Sequence, residues 1–158
     1  MLKRFNEKGF TLVELLCVIM LLGMIVLIAA PAVADLGRKR NLELAARTMA
    51  IDMRKAQQKA VTAGWAQLIE MRTSVDDYVI KDGNSGERQR VELPAGVSYR
   101  SNNFPLVGGY RLLSFNRSGA PNSGGTVGLV NDAGDVLYII VTPATGRVRI
   151  SDTPPSGW

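Results

Sequence analysis

The chain has 158 residues, one cysteine, no histidine, 46% hydrophobic and 21% charged residues, and a formal net charge of +5. That length makes one domain with appendages, and the missing imidazoles and lone thiol exclude a His base, a His/Cys metal site and an internal disulfide. The charge is uneven: +2 over residues 1–9, −1 over 10–33, +4 over 34–64, and nine against nine from 65 onward. Residues 1–9 form a polar, basic leader with Lys3, Arg4 and Lys8. Residues 10–34 are almost continuously apolar, with no charge from Leu15 to Ala34, enough for a helix to span a bilayer, which takes about 20 residues. A secretory signal has a shorter core, but Ala32-Val33-Ala34 offers a small-residue cleavage site, so an exported soluble protein is a rival reading. Glu14 separates the two. An acid at membrane depth costs about 2–3 kcal/mol or more and marks a function with a partner, for which a simple export signal has no use.

Residues 35–64 continue as an amphipathic helix, with Leu36, Leu42, Ala46, Met49, Met53, Ala56 and Ala60 at three- and four-residue steps. The opposite face carries Arg38, Lys39, Arg40, Arg47, Arg54, Lys55 and Lys59, and Gly64 is a natural terminator. An unbroken helix from Phe10 to Ala63 would extend about 80 Å, with Gly23 and Pro31 as points of kinking or weakness. From Trp65 the pattern turns to short β-rich runs. The expected strands are 66–71, 78–81, 90–93, 97–99, 111–115, 126–130, 136–142 and 148–150, separated by turns rich in Gly, Asn, Asp and Pro, with 100–110 as a loop. Short turns between consecutive strands imply antiparallel sheets, covered on one face by the helix stripe. The expected class is α+β: leader 1–9, membrane and assembly half-helix 10–34, amphipathic half-helix 35–64, β head 65–158.

The string Lys8-Gly9-Phe10-Thr11-Leu12-Val13-Glu14-Leu15-Leu16 resembles the processing site of type IV pilins and type II secretion pseudopilins. The resemblance implies that a membrane-bound prepilin peptidase cuts between Gly9 and Phe10 and methylates the amine of Phe10. It also implies that Glu14 serves assembly and that Pro31 marks the helix kink of the class. In physical terms the Glu14 carboxylate can pair with the charged amino terminus of a neighbouring subunit, so neither charge is alone in low dielectric. The segment 46–61 is similar to the helix end of the GspH/FimT group of minor pilins. The strings Leu113–Gly119, Gly125–Leu129 and Thr145–Ile150 are similar to its terminal β region. The implied architecture is a long helix with two small antiparallel sheets, in a low-copy subunit with other pilin or pseudopilin subunits as partners. A positive-inside count is ambiguous, since Lys3, Arg4 and Lys8 face Arg38, Lys39 and Arg40. The resemblance alone places the leader in the cytoplasm and the head outside. The lack of a paired cysteine bridge near the end departs from many major pilins and favours a minor or pseudopilin identity.

Arg147 and Arg149 are two apart on an expected strand, so both guanidinium groups leave one face while Val148 and Ile150 leave the other. A planar Arg fork suits phosphate. In FimT-type pilins a Gly-Arg-x-Arg motif is associated with DNA binding during uptake by naturally competent bacteria, and here it reads Gly146-Arg147-Val148-Arg149. Arg111 and Arg117 are auxiliary candidates. The plain alternative is an edge strand whose Arg residues pair with local acids or discourage edge association. Residues 93–158 carry five Arg against three Asp, so binding to double-stranded DNA would be weak, sequence-independent and salt-sensitive. The helix face from Arg38 to Lys59 is read as solvated or subunit-contacting. Asp82, Asn84, Glu87, Asp132 and Asp135 lack calcium-loop spacing and are read as turn chemistry. No cofactor is implied, no nucleophile has a His partner, and the expectation is a structural and binding protein rather than an enzyme.

Overall fold

The computed structural model describes residues 11–155, without the side chains of 28–32 and 34. The chain divides between Leu36 and Gly37 into two compact units. Helix α1, Leu12–Ala63, crosses that division and stays helical through Gly23 and Pro31. It begins at Thr11, whose hydroxyl accepts the Glu14 amide at 3.3 Å and whose carbonyl accepts the Leu15 amide at 3.2 Å. Thr11 is thus the N-cap, and Glu14 in the first turn suits the positive end of the helix dipole. The helix ends at Gly64, whose φ of +73° is left-handed and costs a residue without Cβ little. In the first unit the described apolar side chains from Leu12 to Leu27 are exposed. Among the described residues no helix is long and apolar enough to cross a membrane, which says nothing of β-barrels. The expected membrane stretch takes in residues 10, 28–32 and 34, which lie outside that description.

The second unit is the head. Its strands are β1 Gln67–Arg72, β2 Asp77–Asp82, β3 Arg88–Glu92, β4 Val97–Asn102, β5 Leu106–Val107, β6 Tyr110–Phe115, β7 Gly125–Asn131, β8 Val136–Val141 and β9 Val148–Ser151. They form two antiparallel sheets, A in the order β3-β2-β1-β6-β5 and B in the order β4-β7-β8-β9. In β1 the alternation is regular: Gln67, Ile69 and Met71 are buried, and Leu68, Glu70 and Arg72 between them are less so. The register sets Ile69 opposite Ile80 and Leu113, and Met71 opposite Tyr78. Sheet B contributes Val97, Val127, Leu129, Ile139, Val141 and Val148 to the same core, with Phe104 fully buried among them. The helix supplies Leu42, Ala45, Ala46, Met49, Ala50, Met53, Ala56 and Ala60. The alanines let the helix axis approach the sheets closely, and the flexible methionines fill the gaps that remain.

Two expectations are corrected here. Leu36, expected to lead the apolar stripe, is 68% exposed and precedes the head, so the core starts at Leu42. The run 100–110 is not a plain loop: β4 continues to Asn102, and β5 pairs with β6 across a two-residue turn at Gly108-Gly109. Both glycines have positive φ, as such a tight hairpin requires. Of Val148 and Ile150, which share the strand face opposite the arginines, only Val148 is buried; Ile150 is exposed at the edge of sheet B, so the condition that both are core is met by one.

Candidate functional site

The terminal hairpin brings the candidate arginines to one end of the head. The turn from β8 to β9 closes through bonds from the Gly146 amide to the Thr142 carbonyl, 2.9 Å, and from the Thr142 amide to the Arg147 carbonyl, 3.0 Å. Arg147 sits one residue before β9 and Arg149 within it, opposite Ile140. Both are exposed while Val148 between them is buried, so the expected alternation holds at these three positions. Neither guanidinium has an ion pair or side-chain hydrogen bond among the described residues. Pairing with local acids therefore does not account for them.

Gly146 is required by its surroundings. Its φ is +64°, and a Cβ would stand 2.5 Å from Gln57 Nε2 and 3.1 Å from the Gly119 carbonyl oxygen. Gln57 holds this corner together. Its amide nitrogen donates to the carbonyls of Gly119, 2.8 Å, and Thr145, 3.2 Å, tying the Asn116–Gly119 turn to the 142–147 turn. Arg117 rides on the first of these turns, exposed, and so belongs to the same corner as Arg147. Arg111 does not. It is half-buried on β6, and its Nη1 donates to the Phe104 carbonyl at 2.8 Å.

The basic helix face is largely committed within the head. Arg54 donates to the Val148 carbonyl at 2.9 Å, covering an edge group of β9. Lys59 pairs with Asp82 at 3.0 Å, Lys55 with Asp52 at 3.7 Å and Arg47 with Glu43 at 3.6 Å. Asp82 also accepts from Gln67 Nε2 and from the amides of Ser85 and Asn84, which hold its carboxyl well below the usual range. Asp82 thus folds its own turn, as the sequence suggests, and no group of three or more metal-ligating residues occurs among the described residues. On sheet A, burial raises the pKa of Asp77, but bonds from Arg72 and Arg90 outweigh it and leave the net shift downward. Tyr78 is pushed up by burial and by its 2.7 Å bond to Asp52.

A family model described as the prokaryotic N-terminal methylation motif matches residues 4–30. No curated protein matches the chain in sequence. Among solved structures, the minor pseudopilin EpsH of the type 2 secretion system of Vibrio cholerae is similar at 11% identity, with 70% of this chain and 96% of that chain covered and a TM-score of 0.57. The type IV minor pilin FimU of Pseudomonas aeruginosa is similar at 14% identity, with coverages of 72% and 90% and a TM-score of 0.57. The chain has a type IV pilin-like fold of the GspH/FimT type.

In this pilin-like chain, Gly9 and Phe10 lie outside the described residues. Glu14 is exposed in the first turn of α1, and the backbone of Pro31 is helical. Gln57 went unnoticed in the sequence, since its role depends on two turns 62 and 88 residues away. The sequence signal was faint: one amide of a polar helix face, with nothing local to mark its partners.

Proposed function

We propose that the protein is a FimT-like minor pilin of a type IV pilus, cut between Gly9 and Phe10 and methylated on Phe10 by a prepilin peptidase. Residues 10–34 hold it in the cytoplasmic membrane with the head outside, until Glu14 and the apolar half-helix pack it among other pilin subunits. It is a structural and binding protein rather than an enzyme. The observation that carries this reading is a methylation motif at residues 4–30 on the same chain as a pilin-like head. The motif also weighs against export by signal peptidase after Ala34.

The head contacts double-stranded DNA non-specifically through Arg147 and Arg149, with Arg117 beside them. Two exposed guanidinium groups without a partner among the described residues, one beside and one just past a turn held by Gly146 and Gln57, support this. A second reading, an H-type pseudopilin of type II secretion, draws equal support from the likeness to EpsH. Fluorescence anisotropy of labelled duplex DNA against the head from Gly37 onward, at two salt concentrations, separates them. DNA uptake predicts salt-sensitive binding lost in the Arg147→Ala/Arg149→Ala variant. No binding at low salt favours the pseudopilin.

A further inference from the structure

We infer that the cleft between the β1–β2 turn, β4 and β6 is a binding site for a phosphate-type oxyanion. It is a pocket of 190 Å³ lined by Thr73, Tyr99, Arg100, Ser101, Asn102 and Arg111, large enough for a tetrahedral oxyanion with its waters. Its lining residues carry two guanidinium groups, two aliphatic hydroxyls and no carboxylate, while the Asn102 amide is engaged by the Phe104 amide and Met71 Sδ.

The chain makes this composition with some effort. Arg111 is opposite Met71 on the inner-face register of sheet A, in line with Leu113 and Phe115, where a charge is costly unless it has a partner. Its Nη1 is fixed by the Phe104 carbonyl, which orients the guanidinium and leaves further donors for a ligand. Arg100 reaches the cleft through a β-bulge: the ladder with β7 slips between Tyr99 and Ser101, inserting one residue at the edge of sheet B. The nearby acids are occupied. Asp76 accepts the Tyr99 amide at 3.0 Å, and Asp77 is held by Arg72 and Arg90. Arg100 has no ion pair or side-chain hydrogen bond among the described residues. A doubly charged oxyanion would satisfy both arginines at once.

This site does not depend on the terminal hairpin. β4 and β9 are opposite edges of sheet B, three strand spacings of about 4.8 Å apart. The test is amide NMR of the full chain in neutral detergent micelles, titrated with inorganic phosphate at constant ionic strength. Saturable shifts centred on Thr73, Ser101 and Asn102 are expected. Arg100→Gln, an exposed change that spares the Phe104 bond, should weaken them about tenfold, while Arg147→Ala/Arg149→Ala leaves them unchanged. A parallel titration with a short DNA duplex shows whether a phosphodiester or only a free phosphate dianion enters; either keeps the site. Shifts that are absent, that fail to saturate, or that keep their full affinity in Arg100→Gln overturn it.

Discussion

Gly146 shows how a motif that reads as chemistry is also a structural requirement. The Gly-Arg-x-Arg string was legible as a phosphate fork, but the reason for its glycine was not, because Gln57 and Gly119 approach it only in the folded head. Gly146→Ala adds a Cβ at positive φ against Gln57 Nε2 and should destabilise the head by about 1–3 kcal/mol, read by denaturant unfolding. The neighbouring arginines behave oppositely. Arg147 and Arg149 make no side-chain bonds among the described residues, so their double alanine variant should change stability by less than about 0.5 kcal/mol. A larger loss in the same unfolding assay would mean that they serve the fold. Arg111 was grouped with them on residue type alone, and one bond to Phe104 places it elsewhere.

At the scale of elements, most strands were legible because alternation and Gly/Asn/Asp/Pro turns mark them locally. β5 was missed because two residues carry no alternation, although Gly108-Gly109 between apolar neighbours is a hairpin signal. Ile150 shares its strand face with buried Val148 yet is exposed, because alternation gives the face of a strand, not how far the packed helix covers it. The α1 stripe is tested by Met53→Ala, which empties a fully buried position and should cost about 2–5 kcal/mol in a thermal or denaturant melt. The β1–β2–β3 ribbon is tested by acid. The folded pKa of Asp77 is depressed, so its stabilisation is full above the unfolded value near about 4 and is lost as pH falls through the lower folded value. Asp77→Asn should therefore destabilise at neutral pH, with its deficit against the parent chain shrinking below about pH 4. A deficit that stays constant down to the acid limit would show that the charge on Asp77 contributes nothing.

At the scale of the whole molecule, the fold class was legible because one long helical period is followed by short strands, a pattern with few packed solutions. The proposed function was legible mainly in the first sixteen residues, where a basic leader, Gly9-Phe10 and an acid in an apolar run have no common explanation in an ordinary anchor. What the head recognises was less so, since nine positive and nine negative charges from residue 65 onward cancel in any count and only folding separates the paired from the free. If Glu14 meets the amino terminus of a neighbouring subunit, Glu14→Ala should be processed normally yet enter filaments poorly, as measured by the sheared-pilus fraction against total membrane pool. The most direct test of the account is the intact mass and terminal peptide of the protein recovered from its native membrane. A chain beginning at N-methylated Phe10 is the predicted result. A chain beginning at Asp35, or one retaining Met1 through Gly9, would contradict it.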